Sequence, residues 1–210
     1  MRTLLFDLDG TLIDSGLDLA GAINMTRESL GLSSLPAAVI VAAVGDGMRK
    51  LVERTIPEFP ERIDELLEIQ KANYLAHCLD RTPLYPGVAG TLEGLKSRGY
   101  RLAVVTNKPI SATEKILSGL GVRSLFGAVV GGGECDRMKP DPESLFLAAE
   151  RMEVPLTPDD WMVGDNHTDL GAGRRAGIRR CFCRFGIGSP RGEPYDAAIG
   201  RFGELLQLLQ

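Results

Sequence analysis

Apolar positions along the chain cluster in short runs separated by longer amphipathic stretches. Leu4-Leu5-Phe6, Leu102-Ala103-Val104-Val105, Ala128-Val129-Val130, Trp161-Met162-Val163 and Cys181-Phe182 show little polar alternation. Such runs are expected of strands buried on both faces. Helical signals fall between the later runs. Over 90–98, Leu92 and Leu95 stand at i, i+3 spacing and Gly99 marks the stop; 109–120 opens on Pro109 and closes before Gly121. A third helix is predicted over 142–152, where Asp141 supplies an N-cap ahead of Pro142, and a fourth over 169–176, before Gly177. Strand and helix in alternation predict an α/β fold with a doubly wound parallel sheet covered on both sides.

The first connection breaks the rhythm. About ninety residues separate Asp9 from the next strand, whereas a parallel crossover needs only about a dozen. Within that gap the pattern predicts helices over 17–30, 36–44, 48–55 and 62–79, the last with Leu66, Leu67, Ile69, Tyr74 and Leu75 on an apolar stripe. Pro83 and Pro86-Gly87 punctuate the return. We therefore expect a core domain formed by 1–14 and 84–210, and a small all-helical domain, 15–83, inserted after the first strand. Insertions at that edge of a parallel sheet lie beside the ligand crevice and can serve as lids.

Composition narrows the class. The net charge of −4, from 24 Lys and Arg against 28 Asp and Glu, argues against a nucleic-acid partner. No apolar run approaches the ~20 residues of a membrane span, and Asp7 arrives too early for a signal-peptide core. Four cysteines without C-x-x-C spacing predict neither a disulfide framework nor a structural zinc site, which leaves a reduced, cytoplasmic setting as the default.

The candidate chemistry sits just past the apolar runs. Asp7 and Asp9 follow the first, Thr106-Asn107-Lys108 the second, Lys139-Pro140-Asp141 the third, and Gly164-Asp165 with Asp169 the fourth. The carboxyl ends of parallel strands share one edge, so these segments are expected to converge on one crevice. Asp7, Asp9, Asp165 and Asp169 would then crowd together. Two like charges ~4 Å apart repel by about 4 kcal/mol at an effective dielectric near 20. A cation is needed, or protonation. An oxygen-only donor set favours a hard ion, and carboxylates beside a phosphate suit Mg²⁺. With only His77 and His167 available, a histidine-built metal cage is not expected. Carboxylate, metal and lysine together form a kit for phosphoryl transfer. An aspartate can attack phosphorus, and a second carboxyl group can protonate the leaving oxygen and then activate water.

The four segments resemble, in order, the four motifs of the haloacid-dehalogenase-like phosphatases: Phe6-Asp7-Leu8-Asp9-Gly10-Thr11, Val105-Thr106-Asn107-Lys108, Lys139-Pro140-Asp141-Pro142 and Gly164-Asp165-Asn166-His167-Thr168-Asp169. Asp18-Leu19-Ala20, Gly45-Asp46-Gly47, Leu51-Val52-Glu53-Arg54 and Gly131-Gly132-Gly133 are similar to phosphoglycolate phosphatases within that family. The resemblance implies a Rossmann-like core with a helical cap. It also implies Asp7 as nucleophile, Asp9 as general acid/base, and Thr106, Asn107 and Lys139 as phosphate-binding residues. Mg²⁺ is implied at Asp7, the Asp9 carbonyl oxygen and Asp165, with Asp169 either supporting the metal or pairing with Lys139. The implied substrate is a small phosphorylated metabolite, 2-phosphoglycolate first, handled by a monomer or homodimer.

Some residues stand apart from this pattern. Arg49 is a candidate clamp for a substrate carboxylate or phosphate, with a solvated helix face as the alternative; Lys108 is a similar candidate. Asp46 stands where the family pattern has a neutral residue and would bring negative charge near an anionic substrate. Gly171-Ala172-Gly173-Arg174-Arg175-Ala176 fits a dinucleotide fingerprint, but does not directly follow a strand and is rejected. Rival functions on the same scaffold are a sugar-phosphate phosphatase or phosphomutase, a pyrophosphatase, and a non-catalytic phosphometabolite-binding protein.

Overall fold

The computed structural model describes residues 2–209; positions 1 and 210, the outer ends of the expected core segments, lie outside the described residues. Strand β1 (Thr3–Phe6) leads into four helices, α1 (Gly16–Ser29), α2 (Ala37–Val41), α3 (Met48–Thr55) and α4 (Ile63–His77). Helix α5 (Val88–Ser97) then precedes β2 (Arg101–Pro109), α6 (Ile110–Gly119), β3 (Ala128–Gly132), α7 (Glu143–Arg151), β4 (Trp161–Gly164), α8 (His167–Arg175), β5 (Arg179–Cys183), β6 (Ala197–Ile199) and α9 (Leu205–Leu208). The strands form one sheet in the order β3-β2-β1-β4-β5-β6, with every neighbouring pair parallel. Five of the six are the predicted apolar runs. The sixth, β6, is a short edge strand that the pattern missed.

Alternation within β1 divides the core. Leu4 and Phe6 join Val104 and Val163 on one side of the sheet, while Leu5 joins Val105 and Met162 on the other. The chain moves outward from β1 in one direction through β2 and β3, and in the other through β4 and β5. A crevice opens where the order switches, at the carboxyl ends of β1 and β4. The rejected dinucleotide fingerprint runs through the interior and end of α8, away from any strand-to-helix turn.

Helices α1 to α4 occupy the long gap between β1 and the second strand, as the pattern predicts. The chain leaves and returns at adjacent points. Ile13 bridges Leu84 in antiparallel fashion, Asp14 N donates to Pro83 O at 3.1 Å, and Tyr85 N donates to Leu12 O at 3.0 Å. Asp18, buried in the first turn of α1, accepts from Arg81 N at 2.9 Å and Thr82 Oγ1 at 2.7 Å. Ile23, Leu66 and Tyr74 of these helices belong to the same apolar cluster as Phe6 and Val104, so the insertion is seated on one face of the sheet. Among the described residues no helix is long and apolar enough to cross a membrane.

Removing Asp18 takes the acceptor from Arg81 N, Thr82 Oγ1 and, at 3.4 Å, Arg81 Nε. Asp18→Ala is expected to lower unfolding stability by about 1–3 kcal/mol, and Asp18→Asn, which keeps an acceptor oxygen, by less. Urea midpoints measure this; equal midpoints for wild type and Asp18→Ala would refute it.

Candidate active site

The turn after β1 sets the first two carboxylates. Asp7 continues the ladder, its N–H donating to Val163 O at 2.9 Å. The chain then folds back on itself, with Leu12 N and Ile13 N both donating to Leu8 O, at 2.9 and 3.1 Å. Gly10 makes this possible. Its φ is +80°, and a Cβ there would lie 2.1 Å from Asp165 Oδ2. Only glycine lets the turn come so close to the carboxylate from β4.

Lys139 reaches the same point from the loop after β3. Its buried ammonium donates to Asp7 Oδ1 at 2.8 Å, Asp169 Oδ1 at 2.7 Å and Val105 O at 2.7 Å. All three of its N–H bonds are thereby used. Burial pulls this amine down, but Asp169 and Asp7 outweigh it and hold Lys139 above its ordinary value. Asp169 serves two neighbours, because its Oδ2 also accepts from Asn166 N at 2.9 Å, half of a capping box that starts α8. Of the two roles expected for Asp169, the geometry gives the pairing with Lys139, with the helix-start role in addition.

Asp7, Asp165 and Asp169 each offer an oxygen within 4.8 Å of the others. Burial first, and the Asp169 charge second, push Asp7 from the ordinary carboxylate value of 3.8 up to about 6. Burial, then Asp169 and Asp7, also push Asp165 well up. Gly188 N steadies Asp165 Oδ2 at 2.7 Å. A buried all-oxygen cluster in which Asp7 and Asp165 resist ionisation fits a hard divalent cation. Asp169 is held tightly through both oxygens, whereas Asp165 Oδ1 meets only Thr11 Oγ1 at 3.4 Å and Asp7 is held by Lys139 through Oδ1, so Asp7 and Asp165 are the carboxylates better disposed to hold it.

Asp9 stands outside this trio. Lys108 donates to its Oδ1 at 2.7 Å and its Oδ2 at 2.9 Å, and Ser15 Oγ donates to Oδ1. The buried Lys108 ammonium also lies 4.4 Å from the centre of the Tyr74 ring, a cation–π contact reaching from core to insertion. The sequence reading weighed Lys108 as a clamp; the structure couples it to Asp9. Ser15 and Tyr74 went unnoticed as site neighbours, because nothing in their local sequence marks a partner so distant along the chain.

Asp7, Asp9, Thr106, Asn107, Lys139, Asp165 and Asp169 all border one cavity of about 570 Å³, counted with the open space at its mouth. Leu19, Val44, Met48 and Leu51 of the insertion form an apolar wall. Thr106 Oγ1 accepts from Lys108 N at 3.2 Å, which leaves its hydroxyl hydrogen for another acceptor. Asn107 and Arg49 meet protein partners of their own. Asn107 lines the cavity, but its side chain is spent on backbone: Oδ1 accepts from Lys139 N at 2.9 Å, and Nδ2 donates to Lys139 O at 3.0 Å. It orients the lysine through these two bonds. Arg49 does not border the cavity. It points from the outer face of α3, where its exposed guanidinium pairs with the exposed Asp64, so the solvated-face alternative holds.

Comparison with known proteins agrees with this geometry. Residues 4–183 match the family of haloacid dehalogenase-like hydrolases. A phosphoglycolate phosphatase of Aquifex aeolicus is 35% identical, over 100% of this chain and 97% of its own. One from Neisseria meningitidis is 37% identical, over 100% of this chain and 94% of its own. Among solved structures, a predicted phosphoglycolate phosphatase from Haemophilus somnus superposes with a TM-score of 0.89 at 27% identity, covering 100% of this chain and 98% of that one.

The upward push on Asp7, from 3.8 to about 6, disfavours its charged form by on the order of 3 kcal/mol. In metal-free protein the stability that protonated Asp7 contributes is full below the unfolded value and is lost as pH rises through about 6. A divalent cation reverses the preference. The gain in Tm from saturating Mg²⁺ is therefore expected to be larger at pH 7 than at pH 5, by roughly 5–10 °C. A gain of the same size at both pH values, by scanning fluorimetry after chelation, would contradict this.

Proposed function

Since the chain belongs to the haloacid dehalogenase-like hydrolases and is a phosphatase, we propose that it is a Mg²⁺-dependent phosphoric monoester hydrolase working through an aspartyl-phosphate. We assign it 2-phosphoglycolate as substrate. The convergence of Asp7, Lys139 and Asp165 on one cavity supports the mechanism. The names of the relatives, at 35% and 37% identity over the full chain, support the substrate.

In this reading residues 15–83 are the cap and the remainder is the core. Asp7 Oδ1 is held by Lys139 at 2.8 Å, so Oδ2 is the attacking oxygen. It forms the new bond to phosphorus while the bond to the ester oxygen breaks, and Asp9 gives that oxygen its proton. Asp9, now a carboxylate, takes a proton from water. The water oxygen then bonds to phosphorus, the bond to Asp7 breaks, and inorganic phosphate leaves. Lys108 and Ser15 hold Asp9 in place between the steps. The Thr106 hydroxyl and the Lys139 ammonium offset charge on the phosphoryl oxygens. Asp7, the Asp9 carbonyl oxygen and Asp165 would hold Mg²⁺, which when bound offsets the repulsion between an anionic nucleophile and an anionic phosphate. The apolar cap wall limits the room left for the rest of the substrate.

A panel of phosphate esters, assayed with and without Mg²⁺, tests the proposal. Phosphate release is expected to require the metal and to be ranked by kcat/KM with 2-phosphoglycolate first. Asp7→Asn is expected to lower kcat at least about a thousandfold. Metal-dependent release that survives Asp7→Asn would exclude the mechanism, and a sugar phosphate ranked first would replace the substrate.

A further inference from the structure

Asp46 is the residue that departs from the family pattern, and the structure gives it surroundings that the pattern does not explain. Its neighbours Gly45 and Gly47 border the cavity, whereas Asp46 does not. Its carboxylate, with Oδ2 buried, faces three cationic or basic groups. Oδ2 lies 2.6 Å from Arg54 of the insertion and 3.8 Å from Arg191 of the core, and Oδ1 lies 3.6 Å from His167 Nε2 at the start of α8. Arg54 is itself anchored within the insertion, donating to Ala43 O at 3.0 Å. The negative charge expected to face an anionic substrate is thus neutralised at the rim.

Neutral contacts already fix how near the Gly45–Gly47 loop can come. Gly45 has a φ of +119°, and a Cβ there would meet Asn166 Nδ2 at 2.3 Å. Asn107 Nδ2 donates to Gly45 O at 3.4 Å. Asp46 adds an ionic tie from this loop to the core. Arg191 lies on the same core loop as Ile187, which borders the cavity, and Gly188, whose N–H steadies Asp165. We propose that Asp46 is a positioning residue: through Arg191 it clasps the helical insertion to the core, and so sets how closely the Gly45–Gly47 loop closes over bound substrate. The magnitude suits the task. Partly exposed pairs of this length contribute about 1 kcal/mol or less each, enough to bias a closed arrangement and too little to lock it against release of product.

In its kinetic arm the clasp rests on the phosphatase reading; its structural arm does not. The test compares wild type, Asp46→Asn, Arg191→Met and the double variant. Backbone amide exchange over 44–48 is expected to quicken about threefold to fivefold in each single variant. KM for 2-phosphoglycolate should rise by a similar factor, with kcat changed by less than about twofold. The double variant should match Asp46→Asn alone, because the shared tie is already cut. Wild-type exchange in Asp46→Asn, or single effects that add in full, would overturn the clasp. Should the wild type hydrolyse no ester, the phosphatase reading would fall while amide exchange still decided whether Asp46 ties the two parts together.

Discussion

Three carboxylates and one lysine, brought together with little water around them, impose the constraint on which the rest of this structure turns. Lys139 compensates two of the negative charges directly, through Asp7 and Asp169, and ties both to the β2 backbone at Val105. That is not enough charge for the whole cluster. Asp165 is left with the neutral donors Gly188 N and Thr11 Oγ1, and burial together with its acidic neighbours holds it and Asp7 well up from the ordinary carboxylate range. The fold keeps these groups charged-capable in a place where charge is costly. Such groups cluster at functional sites, and in the proposed function a divalent cation with a phosphate ester supplies the missing partners.

Around this centre the side chains divide their labour. Asn107 uses its amide to set the Lys139 backbone, and Asp169 uses one oxygen for the lysine and the other for the start of α8. Lys108 and Ser15 hold Asp9 apart from the Asp7, Asp165 and Asp169 cluster. The two aspartates of the first motif thus sit two residues apart yet in different electrostatic surroundings. That separation suits one to attack phosphorus and the other to carry a proton. The insertion contributes an apolar wall and, through Tyr74 against Lys108, a contact to the acid/base side of the site.

Much of this was legible in the sequence, for physical reasons. Strands buried on both faces cannot carry polar residues, so five runs announced five strands, and the polar residues just beyond them had to share an edge. The sixth strand, Ala197–Ile199, is a short edge piece with only Ile199 fully buried, and it leaves no comparable run. For Arg49, which the local sequence leaves open between a clamp and a solvated face, helical phase decides the placement. Met48 and Leu51 share the cavity-facing side of α3, and a residue next to Met48 is turned about 100° away from it. The Lys108–Asp9 pair spans 99 positions. No local spacing encodes it, and only the pairing of β1 with β2 brings it about.

The most direct test of the central claim is to find the phosphoryl group on the enzyme. Wild-type protein would be mixed rapidly with 2-phosphoglycolate and Mg²⁺, quenched in acid within a single turnover, reduced with borohydride and sequenced by mass spectrometry. Reduction of an aspartyl-phosphate to homoserine at position 7 is the result this account predicts. Ester cleavage with an unmodified Asp7, or with the phosphoryl group on any other side chain, would contradict it.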